Sequence, residues 1–372
     1  MERLEAGRLR RATEWCACLC FLLCLALLQG ACQSHKGKES AAVNDPLLKH
    51  VAESKTFDQI FEKERDLQLS AENDVLISRV LDVIVTRDSN ILILDDIGRQ
   101  VLMFSHDGEF IKKIGAFGHG PGEYLWPSLI AADPNGDIFV FDADAAKLLI
   151  FDAEGNFKRS IFTGEFVSRM AVTSHGVYLQ EFTFNGRNSI YQYDTTGKLI
   201  RTFSPVPENF RELLMRVTLG GGLVADDEGN LYQITVAKYE ISKFSPDGSL
   251  IAKFARTPPF LKPYPEKLPS IANDRRKLNE LIFDRTLIHR LFYLKPGLLL
   301  VQLINHDRQR RPTVFLEIYD VSGRFLTGGI QTPFKRLVLS CSAGLICFLT
   351  KTPTDGRSNP TLTFYRLAKR LR

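Results

Sequence analysis

The chain has 372 residues, 44% hydrophobic and 24% charged, which supplies a packed core and excludes a largely disordered protein. Its net charge of +5 is small for that length and makes no case for nucleic-acid binding, whose proteins concentrate far more positive charge. Of 7 cysteines only Cys341 and Cys347 lie beyond residue 32, which excludes a disulfide framework or a cysteine-rich metal site in the body of the chain. Those two read as small apolar residues of a strand hairpin.

Residues 1–14 carry Arg3, Arg8, Arg10 and Arg11, and the uncharged run WCACLCFLLCLALL follows. A basic start, a short apolar stretch and the small residues of QGAC make an export signal over residues 1–31, and the run is short for a membrane span. The terminal GAC resembles a bacterial lipoprotein box in which Cys32 would be lipidated, although Gln29 stands where that box prefers Leu. Simple secretion and an uncleaved anchor are the other readings. Gln33 after the cysteine suits sorting to the outer membrane of a two-membrane cell. Residues 32–55 form a polar, aperiodic tether that would hold a folded body clear of a membrane surface.

From residue 75 onward, short β-type runs alternate with glycine turns in six similar units. The second turn of five units carries Gly108, Gly155, Gly197, Gly248 or Gly323, because tight hairpins need a residue at positive φ. Four antiparallel strands in a unit of about 40 to 50 residues is the pattern of a propeller blade. The sixth unit stops after its third strand, near Leu367, and would leave an unpaired edge. The segment Phe57 to Ser70 is therefore expected to supply the missing strand and close the ring. The predicted fold is an all-β, six-bladed β-propeller over residues 56–367, with a helical insertion at 256–290 between blades four and five and a basic tail at 368–372. Aromatic residues of the third strands are expected to fill the wedges between blades.

The run GHGPGEY, the following IFVFD and turns such as FDAEGNF resemble the six-bladed propellers related to NHL repeats, many of them lipoproteins of Bacteroidota. The resemblance spans residues 56–367. It implies this fold and an exported location, and no established chemistry.

Residues 115–127, GAFGHGPGEYLWP, join the fourth strand of blade one to the first of blade two. Glycine and proline supply the dihedrals of that crossing, and Tyr124 and Trp126 are expected to plug the seam between the blades. The stretch lacks the strand-then-helix context of a phosphate cradle. His119 and Glu123 are ligand candidates from their place on it. Second-to-third-strand loops and inter-blade connectors share one face, and the long stretches at 304–313, 350–361 and 256–290 lie there, so binding is expected on that face.

The second strands end at Asp95, Asp142, Glu181, Thr235, Gln302 and Leu349, expected to ring the channel mouth. Asp95, Asp142, Glu181 and Gln302 are ligand candidates. The three carboxylates would suit Ca²⁺, and would equally serve to bond the backbone of the next loop. In the insertion, Ile271, Leu278, Leu281 and Ile282 fall at near-helical spacing, with Ser270 placed to cap the first turn. The apolar side would lie on the propeller and leave Arg275, Arg276 and Lys277 outward. With Arg308, Arg310 and Arg311 they would form a basic rim for an anionic partner, or a merely solvated lid.

The histidines of the body, His106, His119, His175, His289 and His306, are too few and scattered for a channel zinc site, and no other cofactor is expected. The expected protein is an exported, lipid-anchored propeller of the cell envelope that binds a protein, glycan or small ligand through its long-loop face, and no nucleic acid. The alternative is a metal-dependent hydrolase or lyase with its site in the channel mouth.

Overall fold

The computed structural model describes residues 45–70, 75–163, 167–181, 187–208, 213–214, 220–265, 274–333, 337–352 and 358–368. The export signal, Cys32, most of the tether, Ser270 and Ile271 lie outside the described residues, as do residues 353–357 of one long loop and 369–372 of the basic tail. The chain divides into two units, residues 1–52 with 371–372, and residues 53–370. The described part of the first unit belongs to the helix Pro46–Glu53, which starts on a proline and is capped by Asp45, whose carboxylate accepts from the Leu47 amide at 2.8 Å.

The second unit is a ring of six four-stranded antiparallel sheets. Blade one comprises Val80–Val85, Ile91–Asp95, Gln100–Phe104 and Phe110–Ile114; blade two Pro127–Ala132, Ile138–Asp142, Lys147–Phe151 and Phe157–Phe162. Blade three comprises Val167–Thr173, Gly176–Glu181, Asn188–Tyr193 and Leu199–Pro205; blade four Gly222–Ala225, Leu231–Ile234, Glu240–Phe244 and Leu250–Ala255. Blade five comprises Leu287–Leu294, Leu298–His306, Pro312–Asp320 and Phe325–Gln331. Blade six takes three strands from the end of the chain, Val338–Ser342, Leu345–Lys351 and Thr361–Leu367, and its outer strand, Phe61–Gln68, from the beginning.

That outer strand closes the ring, in a register running from Phe61 opposite Leu367 to Gln68 opposite Thr361. It begins later than expected, because Phe57–Ile60 forms a helical turn. Gln59 ties down the turn by accepting from the amides of Lys55 and Thr56 at 2.6 and 3.1 Å. Phe57 still packs where a strand residue would, its ring 4.7 Å from Phe61, 5.1 Å from Tyr365 and 5.7 Å from Phe348. Gly108 shows why a hairpin turn needs glycine: at φ 87° its missing Cβ would lie 2.5 Å from the Gln68 carbonyl, while its own carbonyl accepts from Ser70 at 2.8 Å.

The core is distributed among the seams. One cluster joins blades six and one through Leu67, Val83, Ile93, Phe104 and Phe364, and others join blades one and two, two and three, three and four, and four and five. Cys341 and Cys347 lie in the first hairpin of blade six as free thiols, both pushed up from the ordinary thiol range by burial.

The described helix of the insertion is Arg275–Asp284, and its cap is Asp274 rather than Ser270: Asp274 accepts from the amides of Arg276 and Lys277 at 3.0 and 3.2 Å. The insertion also ends sooner than expected, since residues 287–290 already form the first strand of blade five. The stretch expected as a long loop at 304–313 is largely hairpin, its strands running to His306 and from Pro312, and Asp307 closes its turn onto the amides of Gln309 and Arg311.

Candidate functional site

Of the residues expected at the channel mouth, Asp95, Asp142 and Gln302 are fully buried and Glu181 nearly so. Asp95 accepts from the amides of Ser78 and Arg79 in the incoming connector at 2.8 and 2.9 Å, from Gly98 at 2.9 Å and from the Gln100 side chain at 3.0 Å. Asp142 does the same for Leu125 and Trp126 at 2.8 and 3.0 Å, and adds Asp144 and Ala145. Gln302 accepts from the Val338 amide of the next blade at 2.7 Å, and Glu181 accepts from the Tyr193 hydroxyl at 3.2 Å. Thr235 and Leu349 are half-buried, Leu349 against the seam of blades six and one. Each carboxylate oxygen of Asp95 and Asp142 is thus directed at N–H donors. Among the described residues no group of three or more His, Cys, Asp or Glu side chains is arranged to hold a metal ion.

The connector of residues 115–127 folds tightly. Ala116–Phe117 pairs in parallel with Glu123–Tyr124, and Glu123 accepts from the Gly120 amide at 2.7 Å. Gly118 lies so close to Glu123 that a Cβ would stand 2.1 Å from its carboxylate. Tyr124 plugs the seam as expected: it is buried, donates to the Ile114 carbonyl at 2.8 Å and accepts from the Val101 amide at 3.0 Å. Burial pushes its hydroxyl up to about 12. Trp126 departs from expectation. It is 42% exposed, because its backbone is held from behind by Asp142 and its ring turns outward.

What faces that ring is Arg99. Its guanidinium lies 5.4 Å from the centre of the Trp126 ring and 5.9 Å from that of Phe117, itself 62% exposed. Ile97, 58% exposed, stands in the same short loop, and Gln100 holds the carbonyl of exposed Leu76 at 2.9 Å. His119 is exposed on the same connector. Arg99 has φ 51°, and the equivalent loop of blade two ends on Ala146 at φ 48°. The strained backbone therefore belongs to the turn, while the arginine side chain is not needed to make it.

Residues 48–255, more than half of the chain, match the family model described as a domain of unknown function, DUF4934. The chain belongs to that family. Two crystal structures share the fold of this DUF4934 chain. One, of a Bacteroides fragilis NCTC 9343 protein described as a candidate exported protein, superposes with a TM-score of 0.64 at 16% identity, over 85% of this chain and 98% of its own. The other, a member of the DUF4221 family from Bacteroides vulgatus, gives 0.62 at 9% identity, over 83% of this chain and 98% of its own. No curated protein matches the sequence.

The insertion of this DUF4934 chain brings its helix against the hairpin of blade five, as the basic-rim reading requires. Arg310 stacks at 4.8 Å over Phe283, and Phe283 meets His306 edge-on at 4.8 Å. Ile282 packs beside a buried cluster that includes Leu213, Val236, Tyr264 and Ile304. Three of the charges, however, are locally matched: Arg276 pairs with Glu280 at 3.2 Å, Lys277 with Asp274 at 3.7 Å and Arg311 with Asp307 at 2.6 Å. The side chain of Arg275 lies outside the described residues. Exposed pairs of this kind contribute little to stability, but they dilute the positive field of the rim.

Proposed function

We propose that this protein is an exported propeller that docks a protein partner on its loop face, around Arg99, Phe117 and Trp126. The observation that carries the reading is the guanidinium set against two solvent-exposed aromatic rings, with Ile97 and Leu76 exposed nearby. Arginine and aromatic residues dominate the energetics of protein interfaces, whereas scattered exposed apolar groups are ordinary. The aliphatic members favour a protein over a glycan, which stacks on open ring faces and needs polar side chains around them. Export is supported by the basic start and apolar run at the N-terminus, and by the likeness in fold to the B. fragilis protein. Cys32 is the lipidation site in this reading, and tethers the ring to the envelope. No helix of the described residues is long and apolar enough to cross a membrane.

A photo-crosslinking side chain at His119, in the producing cells, tests the docking. Wild type should give a discrete adduct with an envelope protein. Arg99→Ala with Trp126→Ala should abolish it at an unchanged melting temperature, since interface residues of this kind contribute about 2 kcal/mol or more. An adduct indifferent to the double substitution, or binding only to polysaccharide, overturns the reading.

A further inference from the structure

The seam between blades three and four departs from its neighbours at one level. Between blades one and two, Leu94 and Val140 share an apolar cluster, and between blades two and three Phe141 and Leu179 do the same. Each pair joins the residue just before Asp95 or Asp142 to the residue two places before Asp142 or Glu181 in the next blade. The residues so placed at the third seam, before Glu181 and Thr235, are Gln180 and Gln233.

Both glutamines are buried, at 0% and 3% exposure. They meet across the seam: Gln233 Nε2 donates to Gln180 Oε1 at 3.2 Å and to the Ser189 hydroxyl at 3.0 Å. The amide nitrogen of Gln180 is buried with no acceptor among the described residues. A seam that had only to pack would be better served by the apolar pair its neighbours use, because buried polar groups without full partners cost stability.

The pair belongs to a polar network that ends in a cleft. Ser204, in the outer strand of blade three, has φ 63°, a conformation that favours glycine, and its carbonyl accepts from the Ser189 hydroxyl at 3.1 Å. Its own hydroxyl donates to Gln233 Oε1. A non-glycine residue is held this way only where its surroundings enforce it. Ser204 and Gln233 line a cleft of about 460 Å³ between the outer strand of blade three and blade four, and Asn188, Thr202, Thr235 and Ser242 line it with them. The Asn188 amide donates to the Thr202 hydroxyl at 2.9 Å, which leaves the Asn188 side-chain oxygen as an acceptor and the Thr202 proton as a donor. Thr235 and Ser242 each add a hydroxyl able to donate and to accept. Phe203, Pro205 and Leu214 supply apolar wall. The charged residues of the lining already face one another, Glu240 accepting from Lys238 at 2.7 Å and from Lys253 at 3.0 Å.

Neutral hydroxyls and amides beside apolar carbon suit a ligand with hydroxyls around its rim and C–H groups on its faces. We infer that this cleft binds a neutral pyranose residue, its hydroxyls bonded by Asn188, Ser204, Thr235 and Ser242 and one C–H face laid against Phe203 and Pro205. The volume lies in the range of small-ligand sites, where a few placed polar groups fix orientation against an apolar wall. This site is separate from the patch around Arg99, so either can fail without the other.

Calorimetry and saturation-transfer NMR at millimolar concentration test it. The probes are methyl glycosides of glucose, galactose, mannose and N-acetylglucosamine, with cellobiose and lactose. The controls are tetrahydropyran-2-methanol, which keeps the ring and loses most hydroxyls, and the peptide-like diamide N-acetylglycine methylamide. At least one glycoside or disaccharide should bind and the controls should not. A disaccharide that binds more tightly than its methyl glycosides marks a glycan chain as the source, and equal binding marks a free sugar. Thr235→Val with Ser242→Ala should weaken binding about tenfold or more, the loss expected for two neutral hydrogen bonds. Gln180→Leu with Gln233→Leu restores the apolar pair of the neighbouring seams. It should raise the melting temperature and weaken sugar binding together, an outcome that a structural role for the glutamines does not produce. No response to any sugar, a response to either control as large as to the best sugar, or a leucine pair that melts lower and binds as before overturns the proposal.

Discussion

Asp95 and Asp142 hold equivalent amides one blade apart: each reaches back 17 and 16 residues, Asp95 to Ser78 and Arg79, Asp142 to Leu125 and Trp126. An acidic residue at the end of a second strand is thus the clasp that seats the connector entering its own blade.

Removing the clasp should be severe. Asp95→Ala strips the acceptor from the amides of Ser78, Arg79 and Gly98, and should lower stability by about 3 kcal/mol in urea unfolding. Chelators should leave the wild-type curve unchanged, because these oxygens already face N–H donors. A loss below about 0.5 kcal/mol, the range of ordinary surface substitutions, would show that the clasp is dispensable.

His289 should make the ring acid-sensitive. Gln302 accepts from Val338 through its carbonyl oxygen, so its amide nitrogen, 2.9 Å from His289 Nδ1, is the donor to an unprotonated ring nitrogen. The unfolded histidine takes a proton near 6.5 and the folded one only near 3, so the unfolded state binds more protons between those values. Stability is therefore fully present above 6.5 and falls as the pH drops through the window toward 3. Between about pH 5 and 6.5, above most carboxylate titrations, His289→Asn should flatten this dependence. Parallel pH profiles for the two proteins would assign the acid sensitivity elsewhere.

Lipidation at Cys32 should make the anchor effectively permanent, since each buried methylene adds about 0.8 kcal/mol. Cys32→Ser should shift the protein from membranes to the soluble fraction, or leave it unprocessed. Fractionation unchanged by the substitution would place the anchor elsewhere or remove the need for one.

The repeat of strand and glycine turn was legible without coordinates because it is local: a two-residue side-chain period and positive-φ glycines are written in neighbouring residues. The missing edge of the sixth unit even pointed to its distant partner near Phe61, because an unpaired strand has few remedies. The patch proposed for docking was less visible. Only a comparison of equivalent loops, DIGR ending on Arg99 beside ADAA ending on Ala146, marks the arginine as surplus to the turn. The helix cap expected at Ser270 falls instead on Asp274, a residue type that satisfies the same capping pattern and that accepts from the amides of Arg276 and Lys277.

By itself, then, the sequence determined six units, their four-strand pattern and the closing strand, all of which rest on short-range periodicity and on pairing edges that must be filled. Tertiary structure alone decided that Trp126 turns outward, that Asp95 and Asp142 are buried clasps, and that Gln180 and Gln233 meet across one seam. That meeting depends on the ring setting blade three against blade four, which is not a property of any stretch of chain taken alone.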